Sequence, residues 1–127
     1  TAGGELAFEE LSPGLLISIL RRNHPVICGL SATYLYRQVR ERPNDNYCDD
    51  IRGEPVGHYV VVCGYRRGGG RFLVTDPWPH APFEPGGRYE VPVQRLLNSI
   101  LLGDVTYDSV LVEIFRPKNR PRTHETQ

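Results

Sequence analysis

The sequence has no excess of charge of either sign, and this absence excludes several kinds of partner. Lys and Arg together number 15, Asp and Glu together number 15, and the formal net charge at pH 7 is zero. Proteins that bind nucleic acid or an acidic membrane surface through their overall charge carry a basic excess. We therefore expect neither nucleic acid nor an acidic membrane surface among the partners.

Long apolar runs and a dense set of cysteines are also missing. The longest apolar stretches, LLISIL and HYVVVC, are far shorter than the roughly 20 residues that span a bilayer as a helix. The opening TAGGELAFEE is acidic and lacks the apolar core of a signal peptide. The three cysteines, Cys28, Cys48 and Cys63, do not form the framework typical of disulfide-rich secreted domains. We expect a reduced, cytoplasmic protein without a membrane segment.

The hydrophobic pattern predicts an α+β domain in which an antiparallel β-sheet is flanked by two or three helices. Ser12 and Pro13 are typical of a helix start, and leucines and isoleucines follow at helical spacing. HYVVVCGY and RFLVTDP flank a glycine-rich turn and predict a hairpin. The strand predicted over PVICGLSATYLY places Tyr34 and Tyr36 on a half-exposed face. In chain order we expect a helix from Ser12 to about Arg22, a strand over 25–36, the hairpin over 58–76, an edge strand over 88–93, a helix over 93–103 and a closing strand over 108–115.

Three segments lack these patterns. Residues 37–57 form a long charged loop with one helical turn at its start, and long loops inside compact domains are often functional. Residues 77–87 are irregular and contain prolines that a central strand does not accommodate. Residues 117–127 are polar, basic and proline-bearing, which predicts a disordered tail. The folded domain is therefore expected to span residues 1–116.

The predicted hairpin brings a histidine and an aspartate within reach of each other. If Tyr65 pairs with Arg71, Asp76 lies opposite Val60, and His58 becomes its diagonal neighbour, about 7–8 Å away at the backbone. A register change of one residue would place the two side chains on opposite faces. An imidazole held by a carboxylate is the base and orienting half of a nucleophilic triad. The alternative is that His58 caps a strand and Asp76 only begins an Asp-Pro turn.

The same hairpin resembles that of a known enzyme family. GHYVVVCGY followed by RFLVTDP resembles the histidine strand and Asp-Pro hairpin of papain-like cysteine peptidases of the double-glycine leader (bacteriocin-processing) type. Plant guanylyl-cyclase-like proteins are similar. HPVICGLS and LLNSILLGDVTYDSVLVEIF extend the resemblance over residues 12–116. It implies a papain-like fold, a bacterial peptide-processing hydrolase with a peptide or protein substrate, His58 as general base and Asp76 as its orienting carboxylate.

The chain departs from this family at its beginning. There the nucleophilic cysteine lies upstream, at a helix start that lowers the thiol pKa, and a preceding glutamine stabilises the oxyanion. TAGGELAFEELSPG contains neither residue. The resemblance therefore implies the C-terminal part of a peptidase domain, inactive alone, whose missing N-terminal segment carries the nucleophile. A homo-oligomer is a further expectation, because a partial domain can leave an apolar face uncovered.

The cysteines that are present are poor replacements for that nucleophile. Cys28 lies inside an apolar run, and Cys63 is five residues from His58 on one strand and so points to the opposite face. We expect both to be structural. Cys48 could approach His58 from the loop, but two neighbouring aspartates disfavour its thiolate.

The remaining expectations concern ligands and alternative functions. Trp78, His80 and Tyr59 are candidate substrate-binding residues. Cysteine, aspartate and histidine side chains near the dyad have no recognisable metal-ligand spacing, so we expect no metal and no cofactor. Two other functions use the same fold: a non-catalytic peptide-binding or regulatory module, and a transferase with the same triad.

Overall fold

The described residues form a five-stranded antiparallel sheet with helices, as the α+β pattern predicted. The computed structural model describes residues 4–37, 56–68, 70–78, 86–106 and 109–116. The sheet has the order β4-β3-β2-β1-β5. The predicted edge strand (β4) and closing strand (β5) lie at its two edges. The elements are α1 (Pro13–Arg21), β1 (Val26–Ser31), α2 (Ala32–Tyr36), β2 (Gly57–Arg66), β3 (Arg71–Thr75), β4 (Arg88–Pro92), α3 (Val93–Leu102), a 3-10 turn (Gly103–Thr106) and β5 (Val110–Glu113).

Helix α1 begins as the sequence predicted. The Ser12 hydroxyl accepts a hydrogen bond from the backbone N–H of Leu15 at 3.1 Å and so caps the helix. Pro13 takes the first helical position, where no N–H is needed. Leu16 and Ile19 are buried on the face that α1 turns to the sheet. Local capping chemistry and the apolar face together fix this helix.

The strand predicted over PVICGLSATYLY was wrong beyond Ser31, where the chain turns into helix α2. The Ser31 hydroxyl accepts from the backbone N–H of Tyr34 at 3.4 Å, and the backbone N–H of Ala32 donates to the carbonyl of Val56 at 2.8 Å. Tyr36 is therefore buried at the end of a short helix, not on a half-exposed strand face. Over so few residues the tyrosine–leucine–tyrosine spacing fits either a strand or a helix.

The β2–β3 hairpin contains a bulge that the sequence did not predict. Tyr65 pairs with Phe72, one residue further along than expected. Cys63 is the extra residue of a β-bulge, and beyond it Val61 pairs with Thr75. The bulge thus restores the predicted register at the far end of the hairpin. Asp76, which follows Thr75, therefore lies beside the part of β2 that the sequence predicted.

The core lies on one face of the sheet. Alternate residues of β1 to β4 are buried there in one cluster with residues of all three helices. The opposite face carries half-exposed side chains such as Tyr59 and Val112. The fully buried strand and helix residues include Leu16, Val26, Cys28, Leu30, Leu35, Val60, Val62, Phe72, Val74, Val91, Leu96 and Ser99.

Several expectations fall on residues outside this description. They include the helical turn in the 37–57 loop, most of the irregular segment over 77–87 and the disordered tail over 117–127, which stay predictions. Within the described ranges, no helix has both the length and the apolar character that crossing a membrane requires.

Candidate active site

The candidate site lies at the end of the sheet where β1 and β3 finish and β2 and β4 begin. His58 is the second residue of β2, Asp76 directly follows β3, and Tyr89 is the second residue of β4. His58 shares the core face of β2 with Val60, because the two are separated by one residue. Helix α2 leaves β1 at the same end and carries Tyr36 at its last position. Alternating strand direction thus brings together residues that are distant in sequence.

The Asp76 carboxylate is the centre of the site. Its side chain has no exposed surface. Oδ2 accepts hydrogen bonds from the hydroxyls of Tyr36 at 2.5 Å and Tyr89 at 2.7 Å. Oδ1 accepts from the backbone N–H of Trp78 at 2.9 Å and lies 2.9 Å from Nε2 of His58. Each carboxylate oxygen therefore has two partners among the described residues.

These contacts decide the charge of Asp76. Burial acts to raise the pKa of the carboxyl group, since desolvation disfavours the anion. The hydrogen bonds from Tyr36, His58, Tyr89 and the Trp78 N–H oppose burial, and together they hold the pKa below its ordinary value of 3.8. Asp76 is therefore an anion at neutral pH, buried but fully hydrogen-bonded.

The anion in turn assigns the protons of His58. An ionised carboxylate only accepts hydrogen bonds, so Nε2 of His58 donates its N–H to Oδ1 of Asp76. In the neutral imidazole the other nitrogen, Nδ1, then carries the lone pair. No hydrogen bond to Nδ1 is found within the described ranges, and the His58 side chain is 25% exposed. Among the described residues Nδ1 thus has no hydrogen-bond partner, and in the neutral ring it is the nitrogen that can accept a proton.

Aromatic rings surround this pair. The Tyr36 ring lies 5.2 Å from the Trp78 ring and 6.2 Å from the imidazole of His58, measured between centroids. Both rings are tilted against Tyr36, at 42° and 49° respectively. The apolar rings limit the access of water to the buried carboxylate.

The backbone of Asp76 is held by a close approach of the chain that enters β4. The Asp76 N–H donates to the carbonyl of Gly87 at 2.6 Å. Gly87 has φ +73°, and a Cβ atom there would lie 2.6 Å from the carbonyl oxygen of Asp76. Only glycine fits this position without displacing the aspartate.

Comparison with known proteins assigns the chain to a family. Residues 15–99, well over half of the 127-residue chain, match the profile described as the Peptidase_C39 like family. The chain belongs to this family. Searches of curated proteins and of solved structures found no significant match.

Membership of the Peptidase C39-like family relates the chain to papain-like cysteine peptidases. The antiparallel sheet with its three described helices agrees with part of a papain-like domain. The matched segment includes both His58 and Asp76. The double-glycine leader type and the similarity to plant guanylyl-cyclase-like proteins stay predictions.

The family's chemistry requires a cysteine. Of the two described cysteines, one is buried in the core and the other lies on the outer face of the sheet. Cys28 is buried in β1, and burial raises the pKa of its thiol to about 12. Cys63 lies on the outer face of the sheet, where its Sγ is 3.8 Å from Oγ1 of Thr75. Cys48 lies outside the described residues. The Cys28 thiol is therefore buried and keeps its proton, and Cys63 lies on the face of the sheet opposite to His58.

The structure separates the predicted substrate-binding residues. Trp78 lies beside the dyad and is partly exposed. Tyr59 is 47% exposed on the outer face of the sheet, opposite to His58, because neighbouring strand residues point to opposite sides. His80 lies outside the described residues. In the described part of the chain, no group of three or more His, Cys, Asp or Glu side chains is placed to hold a metal ion.

Sequence reasoning missed the two tyrosines that bind Asp76. The sequence pattern places Tyr36 on a half-exposed strand and gives Tyr89 no role. One signal is available for Tyr89: it alternates with Val91 in a predicted strand, and the hydroxyl of a core-facing tyrosine needs a polar partner. For Tyr36 the sequence offers no comparable signal, since its contact depends on where α2 begins.

Proposed function

We propose that the chain carries the general base of a cysteine peptidase, His58, and the carboxylate that orients it, Asp76. The proposal depends chiefly on one observation, the 2.9 Å contact between Nε2 of His58 and a buried, fully hydrogen-bonded carboxylate. Family membership supplies the reaction class. Carboxylates with a shifted pKa also occur in structural networks. Here, however, the ionised group leaves Nδ1 of a partly exposed imidazole without a hydrogen bond from the described residues, close to the partly exposed Trp78.

The geometry suggests the following reaction. Nδ1 of His58 accepts the proton of a cysteine thiol, and the thiolate attacks the carbonyl carbon of a peptide bond. The imidazolium then gives this proton to the departing amine, so that the C–N bond breaks and a thioester remains. A water molecule, deprotonated by the same Nδ1, then attacks the carbonyl carbon of the thioester. The C–S bond breaks, and the imidazolium returns the proton to the departing cysteine thiolate. Throughout, Asp76 stabilises the charge that forms on His58.

The nucleophile in this proposal is neither Cys28 nor Cys63. We propose that it comes from a segment other than these 127 residues, in the same chain or in a partner copy, and that the isolated chain is inactive. Support comes from the burial of Cys28 and the outer-face position of Cys63. The proposed substrate is a peptide or protein, by class a segment that is removed during processing, with Trp78 forming one wall of its binding site.

The extent and location of the domain are part of the proposal. The peptidase-like domain spans residues 1–116, because β5 pairs with β1 and extends the sheet beyond the matched segment. The free thiols of Cys28 and Cys63 agree with a reducing compartment such as the cytoplasm.

A non-catalytic peptide-binding module is the second candidate function. It is favoured by the burial of Cys28 and the outer-face position of Cys63, which make both described cysteines poor nucleophiles. The two functions differ in a single requirement, since only the peptidase needs a thiol beside Nδ1 of His58. A module of this kind would bind peptides and leave them intact.

Peptide cleavage by the longest natural form of the protein tests the proposal. We expect His58→Ala to lower kcat/KM by on the order of 10²–10⁴, the usual contribution of a general base. His24→Ala is the matched control, because Nδ1 of His24 also contacts a carboxylate, that of Glu113 at 2.5 Å, but far from the site. Cys48→Ser should leave cleavage unchanged.

Each other outcome has a definite meaning. Full activity of His58→Ala contradicts the proposed base. Loss of activity in Cys48→Ser would identify that residue as the nucleophile and overturn the proposed external one. Peptide binding without cleavage would favour the non-catalytic module.

A further inference from the structure

The two oxygens of the Asp76 carboxylate have different partners. Oδ1 faces His58 and the backbone of Trp78, whereas Oδ2 receives only the hydroxyls of Tyr36 and Tyr89 among the described residues. Both tyrosines are 6% exposed, so water does not compete for these contacts. The hydroxyls come from different elements, α2 and β4, and meet at one atom.

We propose that Tyr36 and Tyr89 are positioning residues that act on His58 through Asp76. Their hydroxyls donate to Oδ2 and fix the rotation of the carboxylate, so that Oδ1 stays aimed at Nε2 of His58. The catalytic benefit of this positioning rests on the proposed function. The hydrogen bonds themselves do not depend on which reaction the site performs.

The geometry supports a positioning role over simple burial of two phenols. A carboxylate can rotate about its Cβ–Cγ bond unless both oxygens are held. The short contacts to Oδ2, at 2.5 and 2.7 Å, are those of hydrogen bonds to a charged acceptor. Tyr36 also contacts the rings of His58 and Trp78, so its displacement would move the histidine directly.

The tyrosines are donors over the whole working range of pH. Burial raises the pKa of each phenol, and the adjacent negative charge of Asp76 raises it further. Neither hydroxyl loses its proton before Asp76 has become fully ionised. The proton arrangement at Oδ2 is therefore constant over the pH range in which the site would work.

Titration of Asp76 by NMR in the 127-residue chain tests the proposal. The carboxyl carbon of Asp76 is followed from neutral to strongly acid pH in Tyr36→Phe, in Tyr89→Phe and in the double variant. We expect the titration midpoint to move to higher pH in each single variant, and further in the double variant. Tyr34→Phe is the control, because its hydroxyl accepts a hydrogen bond from Asn98 of α3 at 3.0 Å and so serves a different contact.

A measurement on the unaltered chain tests the same proposal if the variants fail to fold. The hydroxyl protons of Tyr36 and Tyr89 should resonate far downfield and exchange slowly with water, and both signals should move as Asp76 becomes protonated. The proposal is overturned if these signals are absent, or if the double variant titrates like the unaltered chain or like Tyr34→Phe.

These readouts separate the inference from the proposed function. If the longest natural form cleaves no peptide, the peptidase proposal fails while the titration result stands. If cleavage depends on His58 but the midpoint does not move in the tyrosine variants, the positioning role fails alone.

Discussion

At the scale of single residues, Asp76 shows how a buried charge can be stable. Its side chain has no exposed surface, and an isolated carboxylate in such a place would be neutral. Hydrogen bonds to both oxygens reverse that expectation and lower its pKa. The site therefore contains an anion whose pKa is lower in the folded chain than in the unfolded chain.

This dependence predicts how stability changes with pH. Asp76→Asn should lower the free energy of unfolding at neutral pH by on the order of 2–3 kcal/mol, because the hydrogen bonds lose their charged acceptor. The folded-state pKa is lowered, so the unfolded chain binds more protons on acidification. The contribution is fully present above the ordinary pKa of 3.8 and is lost as pH falls through the lower folded-state pKa.

Urea unfolding at several pH values measures this effect. The difference in unfolding free energy between the unaltered chain and Asp76→Asn should be largest near neutral pH and shrink in strong acid. Asp104→Asn changes an exposed aspartate and serves as the control. A difference that is constant with pH would show that folding does not lower the pKa of Asp76.

At the scale of elements, the approach of β4 to the end of β3 places Asp76. Gly87 makes this approach possible, since a Cβ atom would lie 2.6 Å from the Asp76 carbonyl oxygen. Gly86 is a close comparison: it also has a positive φ, +105°, but a Cβ atom added there would meet no atom of the described residues within 4 Å. The two glycines share a backbone conformation that other residues rarely adopt, and they differ in crowding.

We predict that Gly87→Ala is more destabilising than Gly86→Ala. Both substitutions put alanine in a conformation that costs on the order of 1–3 kcal/mol, but only Gly87→Ala must also push the backbone of Asp76 away. Thermal unfolding gives the stability of each variant, and the NMR signals of His58 report whether the dyad has moved. Equal effects of the two substitutions would contradict the proposed close approach.

At the scale of the whole molecule, local patterns predicted most of the fold. Capping by Ser12 and the apolar spacing of α1 and α3 depend on neighbours in sequence, so both helices were found. The hairpin and the edge strand followed from alternation and turn residues. The association of His58 with Asp76 followed from the register that these patterns implied.

The missed features depend on contacts between distant residues. The bulge at Cys63 has no distinctive local sequence, and it corrects a register that was wrong by one residue at the turn. Helix α2 is held in part by the backbone contact between Ala32 and Val56. The tyrosine pair on Asp76 joins α2 to β4, which no local pattern relates.

The central claim is that Asp76 holds His58 through Nε2 and leaves Nδ1 for proton transfer. The most direct measurement is the NMR signal of the imidazole N–H of His58, compared between the unaltered chain and Asp76→Ala. We predict a proton on Nε2 that resonates far downfield in the unaltered chain and loses this shift in Asp76→Ala. A proton found on Nδ1 instead, or a signal that Asp76→Ala leaves unchanged, would contradict the claim.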